Sequence, residues 1–332
     1  MSALAATTRP LGPAASRLAR RHAWTGAVLA FFAVLLVWNA SQTRNFGAFE
    51  IQTMLSSTLA LAYLAMAQSV VVIGGGIDLS VGALLVLANC LSARFMADTS
   101  FGKSLLVAVA CLAVTSAIGA LTGLIVTVSR IPAIIVTLAT SFVWGGMTLL
   151  VLHTPGGGAP ARFQELVLGS GNAWWPALLC LLAPLLLVWA PLRRSRAGIA
   201  IHALGSSGNA AYLSGVNPLR TRIVAYSFGG LLCGLAGLAT TAFTGGGSPQ
   251  STIAMTATLS SVAAIVLGGV ALSGGVGGLV GPVIAVWCLY LIPNIMLGLG
   301  VDPSYGEVVK GVIVVLVVLV GGLLRARRKP AT

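Results

Sequence analysis

The chain has 332 residues, 57% of them hydrophobic and only 8% charged, with a net charge of +13. A soluble domain carries about 25% charged residues, so a water-coated globular enzyme is excluded. Disordered and collagen-like chains are excluded by the apolar content and by 41 glycines that keep no three-residue period.

In chain order, residues 1–22 are rich in Ala, Thr, Pro and Arg and are expected as a cytoplasmic tail whose first part has too little periodicity to pack. Trp24 to Ala40 follows Arg20-Arg21 without a small-residue cleavage site, which reads as an uncleaved first span. Further apolar runs are Ile51 to Ile73, Ser104 to Ser129, Ile131 to Leu152, Ala173 to Ala190 and Gly311 to Leu324. Each approaches the roughly 20 residues a helix needs to cross hydrocarbon. Ile223 to Val301 holds no Asp, Glu, Lys or Arg in 79 residues. Glycine-rich breaks at 245–249 and 274–278 divide it into expected helices near 223–243, 251–272 and 279–299. With a crossing around 79–95 the expectation is an all-α polytopic membrane protein of about ten transmembrane helices.

Basic loops stay in the cytoplasm. With the N-terminus inside, 14 of the 19 Lys and Arg residues fall on that side. Both termini are therefore expected on the cytoplasmic side of a membrane, and the positive charge needs no nucleic acid. The permease domain is expected over 23–325, with a cytoplasmic loop at 192–222 and a basic tail at 326–332.

Covalent and metal chemistry find no support. Cys90, Cys111, Cys180, Cys233 and Cys288 all lie in expected spans, and His22, His153 and His202 sit in separate loops. Gly102-Lys103-Ser104 lacks the earlier glycine of a phosphate-binding loop. Ion-coupled carriers keep ionisable groups within their spans, and Asp78 is the single candidate. Transport energy is therefore expected from a partner.

Three stretches carry information. In Gly74-Gly75-Gly76-Ile77-Asp78-Leu79-Ser80-Val81-Gly82, glycines permit a backbone break, and Asp78 and Ser80 could cap the next helix or line a path. Gly268 to Gly275 matches Gly75 to Gly82 at five of eight positions, 193 residues later, a weak sign of duplicated halves. In the 192–222 loop, Asn209 is the expected N-cap of a short helix over Ala210 to Ser214, stopped by Gly215. In Arg130-Ile131-Pro132 onward, Thr137, Thr140 and Ser141 offer hydroxyls for helix packing or for a hydroxylated solute.

GGIDLSVG, RIPAIIVTLAT, GNAAYLSGVN, SVAAIVLGGVALSGGVGGLVG and VVKGVIVVLVV occur in the order found in ribose-, xylose- and arabinose-type ABC importer permeases, and the chain resembles that family over about 45–325. The resemblance implies a type II ABC importer-like permease fold and a second permease subunit, identical or paralogous. It also implies a pair of cytoplasmic ATPases, a periplasmic or extracellular solute-binding protein and surrounding membrane lipid. ATP and Mg would sit on the ATPase, with no cofactor on this chain and no nucleic acid. It further implies an ATPase-coupling loop comprising Gly205, Asn209, Ala210, Ala211, Leu213, Ser214, Gly215 and Asn217. The family's acidic pair before the two alanines is replaced here by Ser207-Gly208-Asn209, and an acid common ahead of the SVAAIVLGG stretch is missing from 250–258. The expected cargo is a pentose, hexose or related polyol. Candidate path residues are Gly75, Gly76, Asp78, Ser80, Asn89, Thr137, Thr140 and Asn294. Rival readings are an ABC permease for a nucleoside or branched-chain amino acid, an ion-coupled secondary carrier, and a structural or assembly membrane protein.

Overall fold

The structure, a computed structural model, describes residues 13–43, 46–302, 305–306, 308–313, 315–316 and 319, with side chains from Trp24 onward. Expectations for residues 1–12, Arg44, Glu307 and the basic tail lie outside the described residues.

The helices are α1 (Pro13–Gln42), α2 (Ala48–Ile73), α3 (Val81–Met96), α4 (Phe101–Val128), α5 (Ala133–Val151), α6 (Ala161–Leu168) and α7 (Trp175–Ala183). A π-helical turn at Pro184–Trp189 joins α7 to α8 (Ala190–Arg194). Then come α9 (Arg196–Ser206), α10 (Gly208–Leu213), α11 (Pro218–Thr244), α12 (Ser251–Leu267) and α13 (Val280–Gly298). Helical backbone recurs at 305–306, 308–313, 315–316 and 319. The one extended pairing among the described residues is an antiparallel bridge between Gly156 and Gly247.

Among the described residues, seven helical stretches are long and apolar enough to cross a membrane, α7 to α8 counting as one. α3 and α12 are apolar but shorter, at 16 and 17 residues. At 1.5 Å per residue they reach only about 24–26 Å, less than the hydrocarbon core. Together with the last helical segment these agree with about ten crossings. The structure moves several ends: α1 starts at Pro13, α11 at Pro218, and α12 stops at Leu267 instead of running to 272. α12 stops there because Gly268 and Gly269 turn the chain, as shown below.

α2 is the central helix. Its span is 83% buried against 11% for α1, and α11 packs along α2, α3 and α4. Small residues allow this close approach. A Cβ at Gly119 would stand 2.2 Å from the Tyr226 carbonyl oxygen, and one at Gly230 would stand 2.2 Å from that of Thr115. Backbones of α4 and α11 therefore touch along Gly119, Gly123 and Gly230, and Gly234 receives the Thr115 side chain. α1 packs on α13.

Candidate functional site

The same motif ends α2 and α12. At the first, Gly75 N–H donates to the Val72 carbonyl and Gly76 N–H to that of Val71, with Gly75 at φ +82°. At the second, Gly269 N–H donates to Val266 and Val270 N–H to Ile265, with Gly269 at φ +84°. Both are glycine-centred caps that satisfy the last helical carbonyls. Their register pairs Gly75 with Gly269, one residue away from the pairing of the sequence strings. Both breaks thus share one helix-ending geometry.

The chain between the breaks and their following helices is irregular at 74–80 and 268–279. Asp78 is buried, with its Oδ1 accepting from Ser80 N–H at 2.8 Å and from Ser80 Oγ at 2.6 Å. Ser80 makes no side-chain cap on α3, so neither residue caps that helix as expected. Their side chains close a local turn on each other. Thr137, fully buried on α5, accepts from Leu79 N–H at 3.0 Å and its hydroxyl lies 2.9 Å from the Ala133 carbonyl. The structure therefore brings Asp78, Ser80 and Thr137 to one break and uses their polar atoms there. Thr140 back-bonds to the Thr137 carbonyl at 3.1 Å.

Asn89 and Asn294 stand apart from this group. The Asn89 amide donates to Thr241 Oγ1 at 2.8 Å and to the Gly246 carbonyl at 2.9 Å, while its oxygen accepts from Ser248 N–H at 3.0 Å. It laces α3 to the loop after α11. Asn89→Leu removes all three bonds, at about 1 kcal/mol each or somewhat less within a membrane. A loss of about 2–3 kcal/mol, read as a lower midpoint of thermal unfolding in detergent, is expected. Asn294 Nδ2 donates to the Tyr290 carbonyl at 2.7 Å, beside Pro293 inside α13.

The loop at 192–222 is two helices and not one. α9 is capped by Ser195, whose side chain accepts from Gly198 N–H. α10 is capped by Ser207, whose side chain accepts from Ala210 N–H at 3.4 Å. The expected cap at Asn209 is displaced because Ser207 already supplies the oxygen, and the helix spans Gly208–Leu213. Ser214 closes it and Gly215 turns away at φ +84°. Leu213 and Tyr212 are 85% and 66% exposed. An apolar tip this bare suits a protein partner. Asn217 caps α11 by accepting from Arg220 N–H at 3.1 Å.

Gly205, near the end of α9, sits where the two breaks meet. A Cβ there would stand 1.9 Å from the Ile73 carbonyl oxygen and 2.6 Å from Gly275 N. Gly275 N–H itself donates to that Ile73 carbonyl at 2.9 Å. A Cβ at Gly274 would stand 3.0 Å from Gly75 Cα and 2.6 Å from the Gly205 oxygen. Three backbones from distant parts of the chain thus touch without side chains between them. The end of α9 is thereby in backbone contact with both breaks.

A second feature escaped the sequence reading. Adjoining cavities of about 430 and 460 Å³ form a groove between α2 and α12. Thr252, Thr256 and Ser260 line it at four-residue spacing, opposite Ser57 on α2 and Thr240 on α11. The spacing puts all three on one helix face. Ser57 and Thr240 donate to carbonyls of their own helices, at 2.6 and 2.9 Å, which leaves their oxygens free to accept. The signal was present as the i, i+4, i+8 pattern within Ser251 to Ser261.

A family of permeases described as "Branched-chain amino acid transport system / permease component" matches residues 50–318. The chain belongs to this permease family. It is 33% identical over 305 residues to the ribose import permease protein RbsC of Escherichia coli (strain K12), covering 89% of this chain and 92% of that protein. It is 28% identical over 291 residues to the fructose import permease protein FrcC of Rhizobium meliloti, covering 85% and 80%. It is 29% identical over 309 residues to the autoinducer 2 import system permease protein LsrC of Escherichia coli O157:H7, covering 90% and 87%. No solved structure matches the chain. This multi-pass permease places the paired breaks, the glycine junction and the hydroxyl groove in one membrane-embedded body.

Proposed function

We propose that the chain is the membrane-spanning subunit of a bacterial ABC importer for a monosaccharide or similar polyol. A solute-binding protein delivers the solute, and ATP is bound and hydrolysed on a separate cytoplasmic subunit. Both termini are cytoplasmic in this reading, which sets α9 and α10 on the ATPase side. A second permease, identical or paralogous, completes the path.

The observation that carries the reading is the contact of Gly205 with both broken helices. The ATPase grips α10 at the exposed Ala210, Tyr212 and Leu213, while Ala211, expected in that contact, is buried within the chain. Closure of the ATPase pair moves α9, and Gly205 passes the displacement to Ile73 and Gly275. α3 and α12, the two short helices, then shift against α2. The hydroxyls on α12 and α2 exchange hydrogen bonds with a passing polyol, each bond worth only about 1 kcal/mol net. A weak ladder lets the solute leave as readily as it enters. Similarity to ribose and fructose import permeases supports a sugar over a nucleoside or branched-chain amino acid. The groove's hydroxyls suit a neutral hydroxylated solute.

Uptake in proteoliposomes containing the full transporter is expected to stop when the ATPase's catalytic residue is replaced. Uptake by this chain alone, driven by an ion gradient without ATP, overturns the proposal. Within the coupling pair, Ala210→Arg sets a long cation at the ATPase contact and is expected to abolish copurification of the ATPase. Undiminished copurification and stimulation remove α10 from that role.

A further inference from the structure

A cavity of about 450 Å³ lies where the end of α4, the start of α5 and the start of α11 meet the first helix break. Its wall holds two arginines, Arg130 and Arg222. Neither forms an ion pair with a carboxylate among the described residues. Arg130 is held at φ +58°, a conformation uncommon for residues other than glycine. Pro132 precedes the 19-residue α5 without a side-chain cap, and Ala133 and Ile134, the first residues of that helix, line the cavity, so the positive end of the helix dipole adds to its potential. Tyr226 also lines the cavity, 3% exposed, with its hydroxyl lacking a hydrogen-bond partner. Asp78, the acid near Tyr226, is 4% exposed and turns its carboxylate to Ser80.

Two guanidiniums and a helix start select an anion, and planar guanidinium forks match phosphate oxygens. A neutral sugar could accept hydrogen bonds from the guanidiniums but would leave both positive charges uncompensated. The surroundings choose the kind of anion. Ile131 and Ile134 line the cavity, and the face continues outward through Ile135, Leu138 and Phe142, which are 58%, 46% and 74% exposed. This apolar strip begins at the arginines and follows α5 toward the membrane interior, as an acyl chain does from its headgroup. In the cytoplasm-inside orientation proposed above, on which this inference rests, the cavity opens at the inner leaflet, where anionic lipids gather beside basic pockets.

We propose that this cavity binds the phosphate of an anionic phospholipid headgroup, with Arg130 and Arg222 as its ligands and the exposed face of α5 as the seat of its acyl chains. The bound lipid would buttress the first break, because Gly74, Gly75 and Gly76 form the opposite wall.

The test uses the full permease in vesicles of mixed phosphatidylglycerol and phosphatidylcholine, with lipid retention read by native mass spectrometry after gentle detergent extraction. Preferential retention of phosphatidylglycerol is expected. The Arg130→Gln/Arg222→Gln pair should reduce that preference about tenfold or more, while Arg130→Lys/Arg222→Lys keeps a larger part of it. Equal retention of the two lipids, or a preference unchanged in the Gln pair, overturns the site. Retention of inorganic phosphate that depends on the two arginines, with no preference between the lipids, would assign the cavity to a free anion and overturn the lipid. Failure of sugar uptake in the same vesicles, with the lipid preference intact, would count against the transport reading and leave this site standing.

Discussion

Gly205→Ala is expected to abolish ATP-coupled uptake while the ATPase still docks on α10. The added methyl cannot fit 1.9 Å from the Ile73 carbonyl oxygen and 2.6 Å from Gly275 N. Backbone atoms cannot swing aside as a flexible side chain could, so α9 must retreat from both breaks. Overpacking of this kind costs about 1–3 kcal/mol, which lowers the unfolding midpoint modestly. The functional loss should be larger, because the displaced contact is the one that transmits motion. Uptake is expected to fall about tenfold or more, with ATPase activity persisting and no longer responsive to the solute-binding protein. Gly208→Ala is the matched control, since nothing lies within 4 Å of its Cβ. Equal uptake by the two variants would show that the junction does not carry the coupling.

The triple replacement Thr252→Val, Thr256→Val, Ser260→Ala should cut sugar uptake at least about tenfold with the fold unchanged. Thr252 and Thr256 are exposed and Ser260 is half-buried, so their loss leaves few buried partners orphaned. Surface substitutions away from packed features stay within about 0.5 kcal/mol. Two or three hydrogen bonds to a solute, at about 1 kcal/mol each, correspond to a rate loss of that order. Thr258→Val on the neighbouring face gives the contrasting result. Thr258 Oγ1 accepts from Gly82 N–H at 3.1 Å and its hydroxyl lies 2.9 Å from the Ala254 carbonyl. Valine there leaves that buried N–H unpaired and should lower the unfolding midpoint. Unimpaired uptake by the triple variant would take the groove out of the path.

Much of the fold was legible because the bilayer imposes one rule at every crossing. Ile51 to Ile73 reads as a span and is one, since its backbone can be satisfied only as a helix. The break at 74–76 was legible as a glycine cluster, whereas the second was expected at 274–278 and begins at 268–269. Their common register was not legible, because string matching aligned Gly268 with Gly75 while the caps pair Gly269 with Gly75. Ser207 displaced Asn209 as a cap because both are good acceptors and the chain direction between α9 and α10 decides between them. Asn89, Thr137 and Asn294 looked like path residues as polar groups in apolar helices. Asn89 and Thr137 instead accept from the backbone N–H groups of Ser248 and Leu79 in the irregular segments, and Asn294 bonds back to the Tyr290 carbonyl of its own helix.

The scarcity and placement of charge determined, without coordinates, a polytopic helical chain with a basic face, and the ordered motifs pointed to its family. Both follow from local physics, because hydropathy and charge act on each segment in turn. Tertiary structure alone decided that Gly75, Gly205 and Gly274 touch, that Thr252, Thr256 and Ser260 face Ser57 across a groove, and that Arg130 meets Arg222 over one cavity. Helical periodicity tells which residues share a face. What that face meets is set by how distant helices pack, and the glycines that permit the closest contacts carry no side chain by which a sequence could announce them.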